Sequence, residues 1–562
     1  MKHLVRKTAS FLLALLSLGV ASGLTACGND TPQGGETNNT CEVKAVLAGY
    51  GTDWVYAMAE KFNEIYKSEG YKVEVTLTDT SIGASNEIIT PKRNTTDLYF
   101  EYGAVNTYID KSRSILGSKG GLLLEDLSDV LNSKALGADK KEQGKTIRER
   151  MDETTLSFCE YTGRLSNVEG VYSLPYMGGT SNCLLVNKNV LEQNNYTTED
   201  LLTTDDLIKV AYALKPSNVL DENAFFPVAW SGSKAPGYWD YMTQMLFAQY
   251  SGKVAYENFW NFIPETGSTV ENGYDVYEDN GIYEALKVVE VLEDRDLAVP
   301  GTSSLDHIGA QARVFTGKSL FCVGGDFVYK EMEKDYAQYL DNVIAVKFPV
   351  ISALGVKLSL CGEVHTDGDS CESCDTKLKA IVKEVDTESK TDAEIANLLG
   401  VAEEKVTRIK EARGYHRGNV ASTACFIPSY SDSKHVAKLF LRFLYSDDGN
   451  DIYYANTYSS LAIERVDKVD TSDYSQRELS IYKLTNTAYS QPVYSYTTSP
   501  LRSIAGVTFM PAQGTVASMY TMLSYSHSQT TNPTLTAKSI YDTNIREVQL
   551  NWVDWLQTAG LE

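Results

Sequence analysis

The sequence predicts an α/β fold arranged in two lobes. Three observations carry that prediction. Short apolar strands alternate with amphipathic helices along the chain, the pattern that places helices on the faces of a parallel sheet. The chain has 562 residues, 43 % of them apolar, enough for two or more units with their own cores. One long apolar run stands at the N-terminus and no second one follows, so nothing else reads as a membrane span.

The N-terminal run reads as an export signal. Lys2, Arg6 and Lys7 form a basic head, and the mostly apolar residues from Ala9 to Leu24 follow it. This is the layout of a secretion signal, and it falls short of the roughly 20 apolar residues of a spanning helix. The run ends in Leu24-Thr25-Ala26-Cys27-Gly28, which resembles the bacterial lipobox. The resemblance implies cleavage before Cys27 and a diacylglycerol on its sulfur. Acyl chains contribute about 0.8 kcal/mol per buried methylene, so two or three of them would hold the chain to a membrane surface. An ordinary signal with an incidental cysteine is the other reading. Residues 28–40 carry no aliphatic or aromatic side chain and are expected to be a flexible tether. The expected layout is a signal at 1–26 and a lipidated cysteine with its tether at 27–41. The expected location is extracytoplasmic, lipid-anchored to a bacterial cell membrane.

The formal net charge is −23. This argues against nucleic acid and anionic lipid as partners, since both need clustered positive charge. Tyrosine is abundant, at 36 residues, with six tryptophans. Core packing accounts for such a count, and so does a ligand surface that stacks flat rings. Cys41, Cys159, Cys183, Cys322 and Cys425 stand in apolar surroundings and read as small buried hydrophobes.

Residues 43–48 read as a buried strand and Gly49-Tyr50-Gly51 as a turn. Asp53 is expected to cap a helix presenting Val55, Met58, Ala59, Phe62 and Ile65. Val73, Val75 and Leu77 alternate as a strand, and Thr96 to Phe100 reads as another. The rhythm recurs: a strand within Val171–Val186, a helix over Leu207–Leu214, a strand over Phe225–Trp230, a helix over Ile282–Leu292, and strands at Ser319–Val323 and Val343–Val350. Val436, Leu439, Phe440, Phe443 and Leu444 mark one helix face, with Ser431-Asp432 at its start and Gly449 beyond its end. A long helical pattern with Trp552, Trp555 and Leu556 closes the chain. There is no tandem repeat.

Five stretches in order resemble the family 1 extracellular solute-binding proteins of ABC importers, the group that includes the maltose-binding protein. They are Gly49-Tyr50-Gly51-Thr52-Asp53-Trp54 before the first helix, and Thr96-Asp97-Leu98-Tyr99-Phe100. The third is GVYSLPYMGGTSNCLLVNKNVL at 170–191, with Val186 where tyrosine is usual. The fourth is Phe315 to Leu320 leading into Gly324-Gly325-Asp326-Phe327. The last is Phe426-Ile427-Pro428 through AKLFLRFLYSDDG. The resemblance implies a periplasmic-binding-protein-like fold of type II, with discontinuous lobes, an inserted helical segment and a ligand cleft between the lobes. Lobe 1 is placed at 42–155 and 415–475, lobe 2 at 156–350 and 476–562, and the insertion at 351–414. Loops at the carboxyl ends of the strands are expected to face the cleft.

Carried over block by block, the resemblance implies ligand contacts from Tyr50 and Asp53 after the first strand. Glu101 and Tyr102 follow the TDLYF strand, and Tyr176 lies in the LPY turn. Trp230 ends the FFPVAW stretch, with Trp239 just beyond. Asp326 and Phe327 stand in the G-x-W position, with phenylalanine replacing tryptophan. Arg417 and Asn419 lie near a crossing. Each has an ordinary reading beside it, as a core aromatic, a surface acid or a helix cap.

The insertion holds Cys361, His365, Cys371 and Cys374. Four such ligands can complete a tetrahedral zinc site. The spacing matches no standard finger, and in an exported chain a disulfide plus a free thiol is an equal reading. No metal is assigned on sequence alone. The Asp367-Gly368-Asp369 turn is too short for a calcium loop. Two helices are expected after it, over TDAEIANLLG and AEEKVTRIKEARG, covering the hinge or contacting the importer.

No HExxH or GxSxG motif is present, and Gly317-Lys318-Ser319 lacks the earlier P-loop glycine, Ala312 standing there. The resemblance therefore implies a non-enzymatic receptor without cofactor, monomeric, whose partners are a small solute, an oligosaccharide first, and ABC permease subunits. A secreted carbohydrate hydrolase, which needs two acids across one cleft, and a ligand-sensing receptor of a signalling system are the alternatives.

Overall fold

The computed structural model describes residues 38–46, 50–78, 85–102, 106–117, 120–160, 168–178, 181–219, 224–233, 237–265, 271–366, 368–418, 423–495 and 533–561, with isolated positions between them. The expected signal, Cys27 and most of the tether lie outside the described residues, as do Asp367 and Asn419.

Strands β1 (Thr40–Val46), β2 (Lys72–Thr78) and β3 (Leu98–Tyr102) form the parallel centre of the first sheet, with β1 between the other two. Cys41, Val43 and Ala45 alternate inward along β1, as the two-residue period of a strand requires. Between β1 and β2 runs the helix Asp53–Ile65, burying Trp54, Val55, Met58, Ala59 and Phe62. The expected cap is displaced by one residue. Thr52 occupies the N-cap without a side-chain bond, and Asp53 stands in the first turn, where a carboxylate faces the positive end of the helix. A small antiparallel pair, β4 (Lys134–Leu136) and β5 (Glu142–Thr146), follows.

The second sheet contains β6 (Asn182–Asn187), β7 (Phe321–Gly325) and β8 (Val343–Val346), in the order β7-β6-β8. All its residues are buried. Leu184 and Val186 face one core while Cys183 and Leu185 face another, which explains the unbroken apolar run. Near its end the chain forms β9 (Tyr415–Gly418), β10 (Thr423–Phe426) and β11 (Gln491–Tyr494). Strand β10 completes the first sheet against β3, and β9 pairs with β11.

Two expectations are corrected here. The recurring rhythm predicts parallel pairing throughout, yet β6 runs antiparallel to both β7 and β8, and β10 antiparallel to β3. These are the strands by which the chain enters each sheet from the other. The segment before β6 is bridged to the first lobe at Leu174–Cys425 and Met177–Leu461. A strand arriving from the opposite lobe enters at the end where the neighbouring strands finish, so it must run against them. Second, Phe225–Trp230 is no ladder strand. Pro227 has no N–H to give; its carbonyl accepts from Leu320 and Phe321 at 3.0 Å each, and the segment bridges its neighbours at Val228 only.

Helices Glu372–Asp386, Asp392–Leu399 and Glu403–Gly414 make up the inserted segment. Leu378, Ile381, Val382, Ile395, Val406 and Ile409 share one core with Trp239, Met242 and Leu246, so the segment is built onto the second lobe. The helix Lys434–Leu444 buries Val436, Ala437, Phe440, Leu441, Phe443 and Leu444. Gly449 lies in the next helix, Asp447–Thr457, where a Cβ would stand 2.2 Å from the Leu444 carbonyl oxygen. The closing helix Ala537–Ala559 buries Trp552 and Leu556.

Candidate functional site

The antiparallel entry of β6 fixes the site. Asn182, at the start of β6, pairs with Gly325, at the end of β7. Ser181 and Asp326 therefore stand side by side at the edge of the second sheet that meets the first lobe. The Asp326 N–H donates to the Ser181 carbonyl at 3.2 Å, and the Ser181 N–H points at Asp326 Oδ2 at 3.4 Å. From the first lobe, the Tyr50 hydroxyl donates to Asp326 Oδ1 at 2.7 Å, and the Phe327 N–H donates to the same oxygen at 2.9 Å. The Tyr50 and Phe327 rings meet edge to face at 5.9 Å. Burial pushes the Asp326 carboxyl up to about 7, against the pull of these donors. Outside this contact, Asp53 pairs with Lys330 at 3.1 Å. Sequence reasoning nominated Tyr50, Asp53, Asp326 and Phe327 singly; the structure joins them in one contact between the lobes.

Beside it lies a small cleft, partly open to solvent, of about 50 Å³. Ser181 lines it from the second lobe. Asn450, Asp451, Tyr454 and Tyr458 line it from the Asp447–Thr457 helix and its C-cap, Arg465 and Tyr474 from the loop beyond, and Tyr482 and Asn486 from the helix Gln476–Tyr482 and the residues after it. The Tyr454 and Tyr474 rings are stacked, 5.9 Å apart and 7° from parallel, and Tyr482 meets Tyr474 edge-on. Arg477 lies over the Tyr458 ring at 5.2 Å. Burial holds the Tyr454 phenol above its usual range, with Tyr474, Glu478 and Asp326 adding to the effect, so the ring stays neutral. Asn450 uses its Oδ1 to accept from the Leu461 N–H at 3.2 Å. Its buried Nδ2 has no partner among the described residues. An unpaired buried amide costs about 1–3 kcal/mol, which a ligand oxygen would recover. Asp451 and Arg465 form an ion pair at 2.7 Å on the wall.

The other nominated residues lie elsewhere. Tyr176 stacks on Trp54 at 5.5 Å and meets Phe100 edge-on, within the first lobe's core. Glu101 is buried and accepts from the Tyr108 hydroxyl at 3.2 Å. Tyr102 pairs with Thr423 through its backbone, and its side chain lies outside the described residues. Trp230 and Trp239 are 2 % and 1 % exposed and pack 6.1 Å apart in the second lobe's core. Arg417 lies over the Tyr241 ring at 5.5 Å. Sequence reasoning missed Tyr454, Tyr458, Tyr474 and Tyr482. The signal was present as a run of tyrosines just after the fifth block, at Tyr453, Tyr454 and Tyr458.

No family model matches the sequence, and no curated protein does. Solved structures do. One comes from a study of xylan utilization by the thermophilic bacterium Caldanaerobius polysaccharolyticus. It is 12 % identical with a TM-score of 0.53, the match covering 91 % of this chain and 100 % of that one. A chitin oligosaccharide binding protein is 14 % identical with a TM-score of 0.52, over 91 % of this chain and 98 % of its own. A probable secreted solute-binding lipoprotein from Streptomyces coelicolor is 12 % identical with a TM-score of 0.50, over 90 % and 98 %. The fold of this chain is that of the two-lobed, periplasmic-binding-protein-like solute-binding proteins. Among the described residues no helix is long and apolar enough to cross a membrane.

Proposed function

We propose that this chain is an extracytoplasmic receptor that captures an oligosaccharide between its lobes and delivers it to an ABC permease, held at the membrane through Cys27. The observation that carries the reading is the cleft lined by Tyr454, Tyr458, Tyr474 and Tyr482. Flat rings cover the C–H faces of a sugar, while Asn450, Asn486, Ser181 and the Asp451–Arg465 pair offer donors and acceptors to its hydroxyls, the mixture expected of a ligand site. The lining comes from both lobes, so a ligand gains its full set of contacts only when they are together, and closure follows from binding. The fold supports the reading, and the binding of chitin oligosaccharide by a protein of the same fold suggests the ligand class. A purely binding role is favoured by the acids. Asp451 is the one carboxylate among the described lining residues, and it is spent on Arg465, whereas glycoside hydrolysis uses two.

The test is a thermal-shift screen against xylo-, chito- and other oligosaccharides, with peptides and small polar solutes beside them, followed by calorimetry. A binder present at a hundredfold excess over its Kd stabilises by about 2.7 kcal/mol. Tyr474→Ala is expected to weaken a sugar hit by about 1 kcal/mol, roughly fivefold in Kd, through the lost ring contact. A shift with another solute class and none with sugars overturns the ligand. Sugars returned cleaved overturn the receptor.

A further inference from the structure

Away from the cleft, the structure gathers four side chains that the sequence spreads over fourteen positions. Cys361, His365, Cys371 and Cys374 bring one ligand atom each within 4.8 Å of one another. His365 Nε2 lies 3.0 Å from Cys361 Sγ and 3.5 Å from Cys374 Sγ. A tetrahedron built on Zn–S and Zn–N bonds has ligand atoms about 3.6–3.8 Å apart, so separations within the cluster need change by no more than about 1 Å to close on an ion. We propose that these four side chains bind one Zn²⁺ as a closed structural site that pins the 358–371 loop to the helix Glu372–Asp386.

Three further observations support it. Backbone N–H groups already point at the sulfurs: Glu363 at Cys361 Sγ, 3.4 Å; Cys374 at Cys371 Sγ, 3.3 Å; and Cys361 at Cys374 Sγ, 3.4 Å. Such donors orient metal-bound thiolates and offset their charge. Next, Leu360 is buried in the second lobe's core, but the loop beyond Cys361 has little packing of its own. Val364 is 95 % exposed, and Gly362 and Gly368 turn the chain at φ +93° and +92°. A metal would supply the cross-link that side-chain packing does not. Finally, Cys374 is fully buried in the second lobe's core, so the ion would tie the loop directly to that core. Three thiolates and one imidazole fill a tetrahedral zinc site and leave no open position, which assigns a structural role. On binding, each thiol releases its proton and each ligand atom donates a lone pair. The metal keeps its oxidation state.

The experiment is metal analysis of the full chain, purified from cells grown with zinc and without added reductant, next to His365→Ala and Cys371→Ser. His365 is only partly buried and Cys371 packs at the edge of the core, where serine keeps nearly the same shape, so the variants should fold; circular dichroism checks that they do. The expected result is about one zinc per native chain, with retention against a chelator falling at least about tenfold in both variants. Cobalt(II) in place of zinc should show the intense visible bands of a tetrahedral thiolate site, lost in both variants. A zinc-free native chain, a Cys371–Cys374 disulfide found by mass spectrometry, or zinc retained equally by folded variants overturns the proposal.

Discussion

Asp326→Asn tests the buried contact between the lobes. Asp326 is completely buried and accepts from Tyr50 at 2.7 Å and from the Phe327 N–H at 2.9 Å. Burial outweighs these donors and pushes its carboxyl up to about 7, against about 3.9 in an unfolded chain. The folded value is the higher one, so between these two values the folded state holds a proton that the unfolded state has released. The stability this group contributes is therefore complete below about pH 4 and lost as pH rises through 7. Across that gap, at about 1.4 kcal/mol per pH unit, the loss is about 4 kcal/mol. Asparagine has nearly the same shape, keeps an oxygen for Tyr50 and the Phe327 N–H, and never titrates. Its amide would face the Ser181 N–H, 3.4 Å from the present oxygen, but that cost does not vary with pH. Urea denaturation of both chains at steps from pH 4 to pH 8, followed by tryptophan fluorescence, isolates the group. The stability of the variant relative to the native chain should rise by about 4 kcal/mol from the acid to the alkaline end. Parallel profiles would refute the claim that Asp326 is a buried, protonatable link between the lobes.

Other substitutions probe separate parts of the structure. Trp230→Ala should cost about 3–5 kcal/mol of stability, the usual result of emptying a buried aromatic site; a folded, fully stable variant with weakened sugar binding would put Trp230 in the cleft instead. Gly449→Ala should destabilise by about 1–3 kcal/mol, because its Cβ would meet the Leu444 carbonyl oxygen at 2.2 Å; an unchanged urea midpoint would show that the two helices can separate freely. Arg413→Leu strips the half-buried Asp386 of a two-point ion pair, with bonds of 3.0 and 2.8 Å, and should cost about 1–3 kcal/mol, the usual loss when a charge-assisted bond is removed; a loss under about 1 kcal/mol would mean that Tyr489, at 2.6 Å from Asp386, suffices.

What the sequence made legible follows from which forces are local. Alternation along β1 and the apolar face of Lys434–Leu444 are local patterns, and both were readable. Gly449, noted only as a helix stop, turns out to be required by a close approach to the preceding helix. Strand direction is not local. It depends on the end at which the chain enters a sheet, so the antiparallel β6 and β10 looked like any other strands. Phe225–Trp230 has a strand's composition, and only Pro227 hinted that no ladder forms there. Tryptophans at the ends of apolar runs look alike whether they face a cleft or a core; Trp230 and Trp239 face the core. Tyr50 and Asp326 are 276 positions apart in the chain, and no spacing rule links them. The resemblance of short blocks placed both near the cleft, and their contact is a product of packing alone. The tyrosine wall went unread because its members belong to two helices and a loop, and the residues themselves carry no motif.

The buried contact and the cleft share one environment, and this bears on how a ligand would act. Two links join the same pair of segments. The Asp53–Lys330 pair is on the outside, with the Asp53 side chain 65 % exposed, and exposed pairs contribute about 0–1 kcal/mol. The Tyr50–Asp326 bond is fully buried, so it and the Tyr50–Phe327 ring contact add water-excluded links between the lobes to the apolar core that the two sheets share. Asp326 is bonded to Ser181 through both backbone and side chain, and Ser181 is a wall of the cleft. On the proposed function, a solute hydroxyl drawn to Ser181 or to the Asn450 amide, unpartnered among the described residues, would sit beside a buried link between the lobes. On that reading, ligand contacts and lobe contacts would strengthen the same arrangement of the lobes, with no long path between a binding site and a distant hinge.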